Sequence, residues 1–285
     1  MTISNMSDQR PSLPDFTDPP VIEVALSVQF NKILGLRTAQ MGLLWSAWKD
    51  RFPKTEEHPP LESAVECFDE GPGPAQGPRI VISQAPPVPR CWFLNNSGTE
   101  LLQVQQDRFV HNWRKVGEGG KYPRYERIRE GFSKELNLFC EFLKREKLGE
   151  LNPTQCEVTY VNHILCGSRF ETHSQVERVV TVWRGEYSDT FLQKPEDVRF
   201  AARHVIPGED GQPIGRLHIS LQPAYRKTDK VPILVLTLTA RGKPEGEGLE
   251  GVLAALDRGR EWVVRGFASV TTPEMNEKWG RCNEH

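Results

Sequence analysis

The chain has 285 residues, 38% of them hydrophobic and 26% charged, with a formal net charge of -2. That length buries enough apolar surface to fold without covalent staples, and the balanced charge supplies no global field toward nucleic acid or an anionic membrane. A mean hydropathy of -0.51 with no long apolar run excludes a membrane-spanning helix.

Residues 1–18 are polar and proline-bearing without periodicity, and are expected to form a disordered tail. The stretch lacks the apolar core and cleavage pattern of a secretory signal, so a cytoplasmic location is expected. Cys67, Cys91, Cys140, Cys156, Cys166 and Cys282 show no C-x-x-C pairing, and several sit in apolar runs; reduced, structural thiols are expected.

Order is expected from Pro19. The run VIEVALSVQF alternates, placing Ile22, Val24, Leu26, Val28 and Phe30 on one face and Glu23, Ser27 and Gln29 on the other, as in a half-buried strand. Helical spacing follows from Leu36 to Phe52, with Leu44, Trp48 and Phe52 on one stripe and Pro53 closing it. SAVECFD, RIVIS, RCWFLN and TELLQVQQDRFVHNWR then read as strands, separated by the turn-rich EGPGPAQGP and QAPPVP. After VGEGGKYP, the segment Arg124 to Leu148 carries Ile128, Phe132, Leu136, Phe139 and Leu143 at helical spacing, and Gly149 ends it.

The second half starts in the same way. QCEVTYVNHIL reads as a strand and His173 to Trp183 as a helix. YSDTFLQ supplies a short strand; VRFAARHVI, RLHISLQ and PILVLTLTAR supply three more, leading into a helix from about Leu249 to Ala268. Laying Glu23-Val24 on Glu157-Val158 carries Leu101, Gln103, Gln105 and Asp107 onto Val235, Thr237, Thr239 and Arg241 in one register. The expected fold is therefore α+β, a tandem duplication of a β-α-β4-α unit. Helices would cover one face of an antiparallel sheet, in the topology of the TATA-binding protein saddle, with a helix-grip barrel as the alternative. The units run 19–150 and 151–270. A latch at 271–285 follows, its short helix capped by Thr272 with Pro273 at the first position and Met275 and Trp279 docking it.

The uncovered face would carry Glu23, Ser27, Gln29, Gln103, Gln105, Asp107, Glu157, Thr159, His163, Arg216, His218, Ser220, Gln222, Thr237, Thr239 and Arg241. The densest functional cluster runs from Asp107 to Arg129. It sets His111, Asn112, Trp113, Tyr122 and Tyr125 among Arg108, Arg114, Lys115, Lys121, Arg124, Arg127 and Arg129, a mixture suited to phosphate contact and base stacking. A solvated strand end, loop and helix start has the same composition. His163 lies near Glu157 on the polar face and has the chemistry of an acid-base group, but no nucleophile can be placed beside it. Asn162 projects from the apolar face, where its amide must be satisfied by hydrogen bonds. Histidine spacings match no metal motif, and neither GPGPAQGP nor GKPEGEG matches a phosphate-binding loop. No cofactor and no metal are expected.

PPVIEVALSVQF, LLQVQQDRFVHNWR with YPRYE, EVTYVNHI and FASVTTPEMNEKWGR, in this order, resemble an uncharacterised bacterial family of similar length that is sporadically distributed among genomes. The resemblance implies no activity or cofactor; its patchy distribution is similar to that of mobile or defence-associated genes. The leading expectation is a non-enzymatic binding or adaptor protein. It would use the open sheet face and the 107–129 loop to hold a protein partner, with nucleic acid as the other partner class and no membrane association. Its candidate contacts are Asp107, Arg108, His111, Asn112, Trp113, Arg114, Tyr122, Arg124, Tyr125, Glu157, Thr159, His163 and Arg241. The alternative is a hydrolase or transferase using His163, Glu157 and Asp107 in a cleft between the halves.

Overall fold

The computed structural model describes residues 12–68, 87–117, 120–167 and 170–283. In chain order these form β1 (Pro14–Phe16), β2 (Val21–Phe30), α1 (Thr38–Trp48), β3 (Lys54–His58), β4 (Arg90–Leu94), β5 (Glu100–Gln105), β6 (Arg108–Arg114) and α2 (Tyr125–Arg145). Then come β7 (Pro153–Leu165), β8 (Phe200–Pro207), β9 (Pro213–Tyr225), β10 (Pro232–Gly242), α3 (Gly248–Val270), α4 (Pro273–Lys278) and β11 (Arg281–Asn283).

The fold is α+β, dominated by one antiparallel sheet of nine strands in the order β3-β4-β5-β6-β2-β7-β10-β9-β8. β3 and β8 lie at opposite edges, so the sheet is open and the helix-grip barrel is set aside. β2 and β7 are central neighbours, and the last strands of the two halves, β6 and β10, flank them.

Alternation along the strands builds the core. Val24, Leu26 and Val28 of β2, Phe109 of β6, Val158 of β7, Leu217 of β9 and Leu236 and Leu238 of β10 are buried, as are Ile128, Phe132, Leu136 and Phe139 on one stripe of α2. A register shift between Val21 and Glu23 puts Val21 inward and leaves Ile22 only partly buried. α2 packs over β6 while α3 packs over β7 and β10, covering the apolar face. Gly131 permits the close approach of α2: a Cβ there would sit 2.6 Å from Cε1 of His111.

Several expected elements are corrected. TELLQVQQDRFVHNWR is a hairpin, β5 and β6, turning at Gln106-Asp107. His173 to Trp183 holds only a 3-10 turn at Val176–Arg178. Its β-branched Val179, Val180 and Thr181 disfavour helix, and Val179 and Val180 join the core while Val180 bridges Thr271. YSDTFLQ forms no strand, and Phe191 is exposed at its tip. Among the described residues, the second half therefore lacks one helix and one strand of the expected repeat. KTEEH, which carries no strand expectation, is the edge strand β3. RIVIS and GPGPAQGP lie outside the described residues.

Within the expected tail, residues 14–16 form β1, which pairs with β11. Phe16 meets Phe267 edge-on at 5.2 Å, and Phe267 in turn contacts Trp279 at 5.1 Å, so both ends of the described chain clasp α3. Thr272 caps α4, accepting a hydrogen bond from the Met275 N–H and donating one to the Arg178 carbonyl.

Candidate functional site

Strand pairing brings the polar alternates into rows. Gln105, Arg108, Gln29 and Gln155 lie side by side across β5, β6, β2 and β7. The next row carries Gln103, Val110, Ser27, Glu157, Arg241 and Arg216, and the one after it Asn112, Ala25, Thr159, Thr239 and His218.

This face is not open along its whole width. Residues 61–68, which include most of the expected strand SAVECFD (63–69), run across it as an extended strap with no backbone ladder. Ala64 and Glu66 turn toward the sheet while Val65 and Cys67 stay exposed, so the alternation is real. Its main chain pairs instead with side chains. Gln105 accepts from the Leu61 N–H (2.9 Å) and donates to the Leu61 carbonyl (3.0 Å). Gln29 treats Ala64 in the same way, at 3.0 and 2.8 Å. Arg108 donates to the Glu62 carbonyl at 2.8 Å and to Gln29 at 2.9 Å. The Glu66 N–H donates to Gln155 at 3.3 Å. Strands lie about 4.8 Å apart and an extended chain rises about 3.3 Å per residue, so residues 61–68 have just the reach to cross from β5 to β9.

The strap ends in a charged socket. The Glu66 side chain is only 6% exposed; its Oε2 accepts from Arg216 at 2.7 Å, while Oε1 lies 2.6 Å from His218 Nε2 and 3.2 Å from Arg241 Nη1. Glu157 holds the other side of Arg241 at 2.6 Å, and the Arg216 guanidinium covers the Phe68 ring at 4.4 Å. Burial alone would raise the Glu66 carboxyl pKa, but hydrogen bonds from His218 and Arg216 outweigh it and leave the value at about 2.

The candidate residues fall into separate environments. Arg108, Glu157 and Arg241 belong to the strap and its socket, and Asp107 accepts from Gln105 in the adjoining turn. Thr159 hydrogen-bonds Thr239 at 2.9 Å. Asn112 is buried, accepting from Gln103 (2.8 Å) and donating to Glu23 (2.6 Å), and Arg114 stacks over Trp92. His111 and Trp113 face the opposite way, into the core beneath α2 and against Tyr122, so neither presents a contact surface. Burial pushes the His111 pKa down to about 4, with the Arg51 charge adding to the shift.

Tyr122, Arg124 and Tyr125 line a cavity of about 170 Å³ with Phe16, Tyr160 and Arg260, on the helix side under the clasp. The Tyr122 and Tyr160 hydroxyls hydrogen-bond at 2.9 Å, and burial raises the pKa of both, which keeps them protonated. Arg124 is tied to Asp15, and Arg129 to Asp257. Four of the seven basic residues of the 107–129 stretch therefore do not share one surface: Arg108, Arg114, Arg124 and Arg129 each engage different partners.

His163 is partly buried on the polar face, with Glu157 on the same strand. Residues 157 and 163 are separated by roughly 20 Å along an extended strand, which is too far for a shared proton transfer. Among the described residues, no group of three or more His, Cys, Asp and Glu side chains is arranged to hold a metal ion, and no helix is long and apolar enough to cross a membrane.

Sequence reasoning placed Gln29, Gln105, Arg216 and His218 on the right face but missed Glu66 and Gln155 as parts of a site. One signal was present: Glu66 interrupts the apolar alternates of SAVECF with a charge. Compared with known proteins, the chain matches no family model, no curated protein and no solved structure.

Proposed function

We propose that this chain is a non-catalytic binding module that takes an extended segment of a partner protein across the polar face of its sheet. The observation that carries this reading is the amide row. Gln105 and Gln29 each engage both the N–H and the C=O of one strap residue, as a neighbouring strand would. Main-chain pairing of this kind holds an extended peptide and leaves specificity to side-chain pockets. Nucleic acid offers no peptide N–H and C=O pairs to these amides, and the basic side chains that suggested it are dispersed. The same reading takes the two halves as copies of one ancestral unit, in TATA-binding-protein-like topology. It is supported by the central β2-β7 pair and its flanking β6 and β10. The resemblance to a sporadically distributed bacterial family adds a setting: a cytoplasmic adaptor whose partner is encoded nearby in a mobile or defence cluster.

Selection of random phage-displayed peptides tests this, using both the natural chain and an Ala64→Pro variant. Proline at 64 removes the N–H that Gln29 accepts, at a residue outside every helix and strand. A shared motif enriched by either form supports the binding module. Enrichment of no motif by both forms defeats it.

A further inference from the structure

Resting on that reading, we infer that residues 61–68 are an intramolecular stand-in for the partner, and that the Arg216-His218-Arg241 socket selects a partner segment carrying an acidic side chain two positions after a small one.

The socket requires an anion. Arg216 and Arg241 are direct cross-strand neighbours on β9 and β10, an arrangement that is unfavourable for like charges unless a counter-charge lies between them. Glu157 contacts Arg241, whereas Glu66 is the carboxylate that reaches Arg216, His218 and Arg241 together. Its two oxygens divide among two guanidinium groups and one imidazole as a planar carboxylate can. The preceding inward residue is Ala64, whose small side chain lets the main chain lie against Gln29.

The anion comes from a segment with weak ties of its own. Leu61 and Val65, its largest aliphatic side chains, are 38% and 55% exposed, so little apolar burial holds the strap down. Its main-chain bonds go to side-chain amides and the Arg108 guanidinium, which would hold any extended peptide equally well. Segments of this kind open locally without global unfolding. An incoming acidic segment would replace every strap contact one for one.

The test uses a fluorescein-labelled peptide with the sequence of residues 60–68, Cys67→Ser, and the full chain in three forms: unchanged, Ala64→Pro and Glu66→Lys. The last sets a further cation against Arg216 and Arg241 and expels the strap. Fluorescence anisotropy is expected to show the peptide binding both variants about ten-fold more tightly than the unchanged chain, whose own strap competes. The same peptide with Glu66→Gln, or Arg216→Gln placed in the Ala64→Pro chain, should lose that binding. Absence of binding by variants that keep a native circular dichroism spectrum and a cooperative melt overturns the inference. So does undiminished binding of the Gln peptide, or displacement of the peptide by a single-stranded oligonucleotide. Should neither variant fold, hydrogen exchange in the unchanged chain decides: the Leu61 and Ala64 amides should exchange about a hundred-fold faster than those of β2 and β7. Exchange at the global rate makes the strap an integral part of the fold and ends the idea. A phage-selected motif without an acidic residue, not competed by the strap peptide, overturns this inference while leaving the binding module standing.

Discussion

Oε1 of Glu66 lies 2.6 Å from Nε2 of His218, 152 positions further along the chain. One carboxylate thereby joins the first half of the molecule to the second, on the face away from the helices.

Replacing that carboxylate with an amide should cost modestly. Glu66→Gln is expected to lower unfolding stability by about 1–2 kcal/mol, because Arg216, His218 and Arg241 regain water once the strap lifts. Urea denaturation measures this. In an Arg216→Gln background, where the cross-strand repulsion is gone, the same change should cost less than about half as much. Equal costs in the two backgrounds would mean that Glu66 and Arg216 are not coupled.

Stability should fall with acid in two windows. His111 is neutral and enclosed, with its pKa lowered from 6.5 to about 4, so the unfolded chain binds the proton more readily. Its contribution is complete above pH 6.5 and is lost as the pH drops toward 4, amounting to about 3 kcal/mol. Glu66, lowered from 4.5 to about 2, contributes above pH 4.5 and loses that contribution as the pH falls toward 2. Equilibrium unfolding across pH should show the first window vanish in His111→Leu while the second persists. A His111→Leu profile parallel to that of the natural chain would contradict the assignment.

Gly131 lies inside α2, where alanine ordinarily stabilises by about 0.5–1 kcal/mol. Here the added Cβ would meet the imidazole of His111 at 2.6 Å, and overpacking should win, with a net loss of about 1–3 kcal/mol. In a His111→Ala chain the sign should reverse. Thermal melts of the four proteins in this cycle supply the answer.

Thr272→Ala removes the cap of α4 and the bond to Arg178, at an expected cost of about 1 kcal/mol. Because α4 leads into β11, the amides of Asp15 and Phe16 in β1 should also exchange faster. A destabilised protein with unchanged exchange in β1 would show that the clasp does not depend on α4.

Local periodicity made most of the architecture legible. The stripe Ile128, Phe132, Leu136, Phe139 and Leu143 is the buried face of α2, and the alternation of VIEVALSVQF and EVTYVNHIL marks β2 and β7 at the centre of the sheet. What failed was whatever tertiary contacts decide. The β5-β6 turn carries no glycine or proline at Gln106-Asp107, so nothing local announced it. Val176, Val179 and Val180 resembled helix spacing but are apolar anchors of an irregular segment packed into the core. Pro14–Phe16 is too short for any period and is a strand only because β11 lies beside it. The strap was misread for an instructive reason: SAVECF has the alternation of a strand, and only the distant positions of Gln29, Gln105 and Gln155 show that amide side chains take the place of a neighbouring backbone. The socket was illegible because its members come from residues 66, 157, 216, 218 and 241, which no spacing rule connects.

The distance along the chain between the strap and its socket also sets an order of events during synthesis. Arg216 and Arg241 follow Glu66 by 150 and 175 residues, so the ribosome releases the strap well before the cations that will hold it exist. A chain made from its N-terminus at about 5–20 residues per second leaves an interval of roughly ten seconds or more in which the Glu66 carboxylate has no socket, although Gln29, Gln105 and Arg108 are already made. The nascent protein passes through that interval once, with only the main-chain bonds of the strap available to hold it.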